Sequence, residues 1–128
     1  MPLTPGLRAE VRIVVAESDT ASAIGSGDVP VLATPRLLAL AEAATVAAVQ
    51  EHLDPGTTTV GTCVVLEHKA ASPIGAEVVA LAQLAEVDRR RLVFNVEATE
   101  GDKTIGAARV ERFIVDREKF LGRLAGQA

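Results

Sequence analysis

Few side chains in this sequence are placed to do chemistry, and the most conspicuous is Glu42. It is a carboxylate with apolar residues on both sides, inside the run Thr34 to Leu53, TPRLLALAEAATVAAVQEHL. A charge carried into an apolar interior is costly unless it is paired or put to use, so Glu42 is a first candidate for function. The bland alternative is that one side of the helix faces water and the carboxylate points there. Thr34, eight residues earlier, precedes Pro35 and reads as a helix N-cap, a role that needs no chemistry. Of the two histidines, His52 falls at the helix C-terminus, where a partly charged imidazole suits the dipole, and it reads as structural. His68 ends a strand just before a turn, and taken alone it reads as a solvated surface residue. Cys63, the only cysteine, lies among apolar strand residues and reads as packing rather than as a nucleophile. Two histidines sixteen positions apart and one cysteine lack the close spacing of a metal site, so no metal is expected. Gly25 and Gly27 lack the strand-to-helix context of a phosphate loop. Arg89, Arg90 and Arg91 form the one dense positive cluster, read as a solvated turn.

These residues need elements to position them. Arg8 to Glu17 alternates Val11, Ile13 and Val15 with polar neighbours and predicts a strand with one buried face. Ser18 to Pro30 is rich in Ser, Gly, Asp and Ala and reads as a loop holding at most one helical turn, long enough to cover a site. The helix follows, capped by Thr34 and stopped at Leu53-Asp54-Pro55-Gly56; with so little polar surface it is expected to be wrapped by the rest of the chain. Thr58 to Lys69, Glu77 to Val87, Arg91 to Glu100 and Thr104 to Val115 read as four strands. In the third of these, Leu92, Phe94, Val96 and Ala98 share one face. Short turns at Ala71–Gly75, Asp88–Arg90 and Glu100–Lys103 suggest an antiparallel meander, and Asp116 caps a short terminal helix ending near Leu124. One helix against one antiparallel sheet is an α+β architecture.

The totals exclude several classes. With 128 residues, 48% hydrophobic and 23% charged, the chain suits one soluble domain over residues 1–128. A net charge of -4 and only three aromatics, Phe94, Phe113 and Phe120, argue against nucleic acid as a partner. No apolar run is long enough to span a membrane, and MPLTPGLRAEV does not read as a signal peptide. With one cysteine no internal disulfide can form, which makes the cytoplasm the expected compartment.

Three stretches together resemble the hot-dog-fold acyl-CoA thioesterases, in particular their fluoroacetyl-CoA thioesterase-like branch. They are Ala33 and Thr34 with the helix to Glu42; GTCVVLEHKAASPIG from Gly61 to Gly75, with its His68, Ala70, Pro73, Gly75 pattern; and ARVERFIV from Ala108 to Val115. The match runs from about Val29 to Phe120. The resemblance implies a hot-dog fold, a long antiparallel sheet curled round one central helix, and hydrolysis of a short acyl-CoA to the free acid and CoA. It implies a catalytic trio of Thr34, Glu42 and His68, with Gly61 near the thioester carbonyl and Arg112 supporting the site. Each role is chemically sound. A neutral imidazole accepts and returns a proton at neutral pH. Glu42 is suited to orient that imidazole, activate water or attack the carbonyl itself. Thr34 sits where free helix amides favour an oxyanion or a nucleophilic hydroxyl.

Within one helix Thr34 and Glu42 are roughly 12 Å apart along the axis, so they are not expected to touch in one chain. The expected site is therefore completed across a homodimer interface, as is usual in the family, with tetramers open. No cofactor is implied, since CoA belongs to the substrate. Its phosphates need local cations on an acidic protein: Arg36 and Lys69 lie nearest the proposed site, with Arg89–Arg91 more remote. Selectivity for fluoroacetate is not carried over, because the covering segment, GSGDVP near its end, shows no large apolar residue of the kind that would shape so particular a pocket. Two further readings remain: a hot-dog protein that binds an acyl-CoA or acyl-pantetheine without turnover, and a dehydratase, for which the extra acid and base motif is missing.

Overall fold

The apolar stretch expected as a helix forms α2, Thr34–Val49, prolonged by a 3-10 turn at Gln50–His52. This computed structural model, which describes residues 2–126, adds five strands and two shorter helices to it. The strands are β1 (Arg8–Val14), β2 (Thr57–His68), β3 (Glu77–Asp88), β4 (Arg91–Glu100) and β5 (Lys103–Asp116); the helices are α1 (Ala21–Ile24) and α3 (Arg117–Ala125). Between β1 and α2 the predicted loop holds a 3-10 turn at Glu17–Asp19 and the single turn of α1. Asp116 caps α3 as expected, accepting from the Lys119 amide at 3.0 Å. Among the described residues no helix is long and apolar enough to cross a membrane.

The core lies between α2 and one face of the sheet. Leu37, Leu40, Ala41, Ala44, Ala48 and Val49 of the helix meet Val78, Ala80, Leu92, Phe94, Val96 and Val110. The face expected for β4, with Leu92, Phe94, Val96 and Ala98, is buried in full. The helix is not wrapped all round: Thr34, Pro35, Ala39 and Ala43 are exposed, a stripe at four-residue spacing that the sheet leaves open. A helix built mainly of alanine and leucine does not distinguish a face against the sheet from a face awaiting another cover, which is why composition suggested complete burial.

All pairings are antiparallel, and the sheet order is β1-β3-β4-β5-β2. This corrects the expected four-strand meander. Only β3, β4 and β5 are joined as successive neighbours, while β2 pairs with β5 at the far edge. The segment after His68 is not a hairpin turn; it crosses the end of the sheet. The amides of Lys69 and Ala70 bond the Ile105 carbonyl, Ser72 receives the Leu32 amide, and Gly75 donates to Val15. A local turn signal says that the chain bends and leaves open which strand it joins next.

One irregularity of β2 decides which of its side chains share a face. Its pairing with β5 shifts between Gly61 and Cys63, the mark of a β-bulge. Before the bulge the odd residues Thr59 and Gly61 face the helix; after it the partly buried residues are the even ones, Val64, Leu66 and His68. Strict alternation would have sent His68 to the opposite face from Gly61. The same shift corrects the reading of Cys63, which is exposed rather than packed.

Candidate active site

The N-terminus of α2 meets the end of β2. Gly106, opposite His68 in the register, is buried, and a side chain there would press on Leu37 and on the Glu67 carbonyl; its bare backbone lets the helix approach this closely. The N-cap residue is Ala33, and no side chain caps the helix. This corrects the reading of Thr34 as N-cap. Thr34 is the first helical residue, and its hydroxyl lies 2.8 Å from His68 Nδ1. Pro35 has no amide hydrogen to place, while the first-turn amides of Thr34 and Arg36 have no carbonyl a turn earlier to bond, so the helix offers donors and partial positive charge beside the hydroxyl.

His68 is partly buried, and burial pushes its pKa below the ordinary 6.5. The Ala70 backbone pulls the other way more weakly, and Nε2 is buried with no hydrogen-bond partner. Burial thus favours the neutral ring, and in the tautomer with its proton on Nε2 the Nδ1 lone pair accepts from the Thr34 hydroxyl. Thr34 and His68 open onto a cleft of about 360 Å³, lined by Ala21, Ser26, Gly27, Val29 and Val31 on one side and by Lys69 on the other. Four of these lining residues, Ala21, Ser26, Gly27 and Val29, come from the segment Ser18 to Pro30, and they are small.

A second polar cluster lies along α2. Arg112, only 6% exposed, comes from the helix-facing side of β5. Its Nε donates to Thr59 Oγ1 at 2.9 Å, Nη2 to the Thr59 carbonyl at 3.1 Å and Nη1 to Glu42 Oε2 at 3.0 Å. The Glu42 side chain is one-third exposed, at 33%. A methyl group on Gly61 would collide with the Glu42 carboxylate and crowd the Arg112 guanidinium, so the glycine makes the room in which that pair sits. The sequence-predicted residues thus fall into two groups. Thr34, His68 and Lys69 gather at the cleft, whereas Glu42, Gly61 and Arg112 gather over the bulge of β2. No hydrogen bond joins the two groups: Glu42 is bonded to Arg112 and not to His68. Each guanidinium nitrogen of Arg112 thus has a partner inside the protein, two on Thr59 and one on Glu42.

Arg36 also has a partner. Its Nε donates to Asp19 at 2.9 Å, tying the cover to the helix, and Asp19 is held below the ordinary carboxylate value by the Ala16 amide and then by Arg36. Of the arginine cluster, Arg91 pairs with Glu111 at 2.8 Å on β5. His52 lies in the turn after α2, with its Nδ1 buried and unpaired, away from both groups. Among the described residues no three His, Cys, Asp or Glu are arranged to hold a metal ion. Two members were missed by the sequence reading, Thr59 and Asp19. Thr59 belongs to a threonine-rich strand whose composition already explained it, and Asp19 to a polar loop, so neither carried a separate signal.

The family model described as fluoroacetyl-CoA-specific thioesterase matches residues 15–118. A fluoroacetyl-CoA thioesterase of Streptantibioticus cattleyicolor is 39% identical over 90 residues, covering 70% of this chain and 65% of the relative, just under two thirds of its length. The solved structure of fluoroacetyl-CoA thioesterase FlK superimposes with a TM-score of 0.91 at 30% identity, covering 100% of this chain and 99% of the other. A variant of that enzyme in complex with fluoroacetate and CoA gives a TM-score of 0.86 at 32% identity, over 92% and 99% of the two chains. The fold is thus the α+β hot-dog fold of these thioesterases.

Proposed function

The chain belongs to the fluoroacetyl-CoA-specific thioesterase family, and we propose that it is an acyl-CoA thioester hydrolase acting on short acyl groups, with Thr34, Glu42 and His68 as its catalytic residues. The observation that carries this is the 2.8 Å contact between the Thr34 hydroxyl and a partly buried His68 at the mouth of a small cleft. The CoA bound in a solved relative supports CoA as the leaving group. The small residues around the cleft support a short acyl chain, without supporting selectivity for fluoroacetate.

In the proposed reaction the Thr34 oxygen attacks the thioester carbonyl as its proton passes to His68 Nδ1. The free amides at the start of α2 stabilise the oxyanion. The carbon–sulfur bond breaks, and the departing thiolate, whose free thiol has a pKa near ~8.5, takes the proton back from the imidazolium. Water then hydrolyses the acyl-threonine, with Glu42 orienting or deprotonating it, and Thr34 is restored.

Because Glu42 sits two turns from Thr34 and is bonded to Arg112, the working site combines the Thr34–His68 end of one subunit with the Glu42 of its partner. The uncovered stripe of α2 and the unpaired edge of β2 support a homodimer formed along that side. Lys69, exposed beside the cleft, is the candidate cation nearest the acyl site; Arg36, tied to Asp19, is the weaker one. The proposal is of one hot-dog domain over residues 1–128, working in the cytoplasm without a cofactor.

Thiol release from a series of acyl-CoAs, from acetyl upward, tests the reading. Release that is fastest for the shortest chains is expected. Thermal stabilisation by acyl-CoA with no thiol release from any of them would make the protein a binder instead.

A further inference from the structure

At the other end of β2, three cations converge on a surface pocket of about 410 Å³. Arg90 comes from the β3–β4 turn, and Lys119 and Arg123 stand one turn apart on α3; Phe120, Ile114 and Thr57 complete the lining. None of the three cations makes an ion pair among the described residues, whereas Arg36, Arg91, Arg109 and Arg112 all do. Arg90 makes one long contact, 3.5 Å, to the Ile114 carbonyl. The single carboxylate in the pocket, Asp116, accepts the Lys119 amide as cap of α3. On a chain of net charge -4, three cations without an ion-pair partner among the described residues, set around an aromatic ring, form a local anion trap with an apolar floor.

We propose that this pocket binds the phosphorylated adenosine end of the CoA thioester, its phosphates on Arg90, Lys119 and Arg123 and its adenine against Phe120. The inference rests on the hydrolase reading and adds the place where the nucleotide is held. Position supports it. Thr57, on the pocket, is four residues from Gly61, against which Glu42 lies, about 13 Å along an extended strand. That suits a pantetheine arm reaching from the pocket to a carbonyl beside Glu42. The His68 of the same chain, at the far end of β2, is eleven residues from Thr57, or roughly 36 Å. One CoA therefore bridges the pocket and Glu42 of one subunit to the Thr34–His68 pair of the other, which fits the composite site.

The test compares two substrates that share an acyl group and differ only in the nucleotide: acetyl-CoA and acetyl-pantetheine. For the Lys119→Ala/Arg123→Ala double variant, KM for acetyl-CoA rises about tenfold with kcat retained, while the kinetics of acetyl-pantetheine stay as in wild type. Equal kinetics of variant and wild type on acetyl-CoA, or equal losses on both substrates, would overturn the assignment. Calorimetry with adenosine 3′,5′-bisphosphate keeps the question separate from hydrolysis. Binding to wild type that is lost in the double variant upholds the pocket even if no thioester is cleaved, and no binding to wild type refutes it. Lys119→Glu, an exposed charge reversal, should weaken this binding further and serves as a second variant should the double variant misfold.

Discussion

The two polar clusters against α2 are built in opposite ways. The Thr34–His68 pair is joined by one hydrogen bond, opens onto a cleft, and leaves the buried His68 Nε2 without a partner. Glu42 is held by a guanidinium that is itself fixed twice to Thr59, in a space that only a glycine at position 61 provides. The first cluster has groups free to exchange a proton. The second fixes a carboxylate in place and leaves part of it exposed. The proposed site draws on both kinds of part, a group that can carry a proton and a preorganised charge, which one chain holds about two helical turns apart.

The sharpest break of this contrast comes from His68→Ala. Its kcat is expected to fall ~100- to 10,000-fold, the range for loss of a general base, while the melting temperature stays near wild type. An unchanged rate would remove the proton-carrying role from this end of the helix. Next in size is a mixing experiment. His68→Ala and Glu42→Gln homodimers, each nearly inactive, are unfolded, mixed and refolded together. Half of the random dimers then pair one intact His68 with one intact Glu42 on opposite subunits, restoring about a quarter of wild-type activity. No restoration would mean that both groups act within one chain.

Arg112→Met should separate the clusters by stability. Removing a buried cation that holds Glu42 and Thr59 is expected to lower unfolding free energy by about 2–3 kcal/mol, less than for a fully buried pair because Glu42 is one-third exposed. Urea unfolding checks this, and a loss no greater than that of His68→Ala would erase the distinction. Gly61→Ala is milder. Its methyl displaces the Glu42 carboxylate, for an expected loss of about 1–2 kcal/mol and a fall in kcat with little change in KM.

Much of this was legible in the sequence wherever the signal was local. Thr34-Pro35 and Asp54-Pro55-Gly56 marked the ends of the helical region, and alternation assigned the buried face of β4 correctly. The failures were non-local. Nothing in Ala71–Gly75 says that β2 goes to the sheet edge beyond β5, because pairing is decided by strands whose codes are far apart along the chain. The bulge after Gly61 reversed the faces of β2 and exposed Cys63, and a single extra residue leaves alternation on either side looking normal. Thr34 looked like a cap because threonine there usually is one; here the hydroxyl turns to a histidine 34 residues away. The separation of Glu42 from Thr34 followed from helix geometry alone, but its partner Arg112, 70 residues on, came only with the fold.

The smallest effect tests how the clusters meet. In the single chain, burial lowers the pKa of His68, so as pH falls the unfolded chain, with an ordinary histidine near 6.5, takes up the proton first. Between the lowered value and 6.5 the unfolded state binds more protons, and stability drops as pH falls through that window; above 6.5 it is retained in full, and below the folded value the loss stops growing. A partner's Glu42 carboxylate docked beside the ring would favour the imidazolium and raise that pKa. Titrating the His68 ring resonance by NMR should therefore place its midpoint at higher pH in wild type than in Glu42→Gln, with the variant's midpoint below 6.5. Identical His68 midpoints in the two proteins would mean that no Glu42 carboxylate reaches the imidazole, and the clusters would then act on the substrate from separate positions.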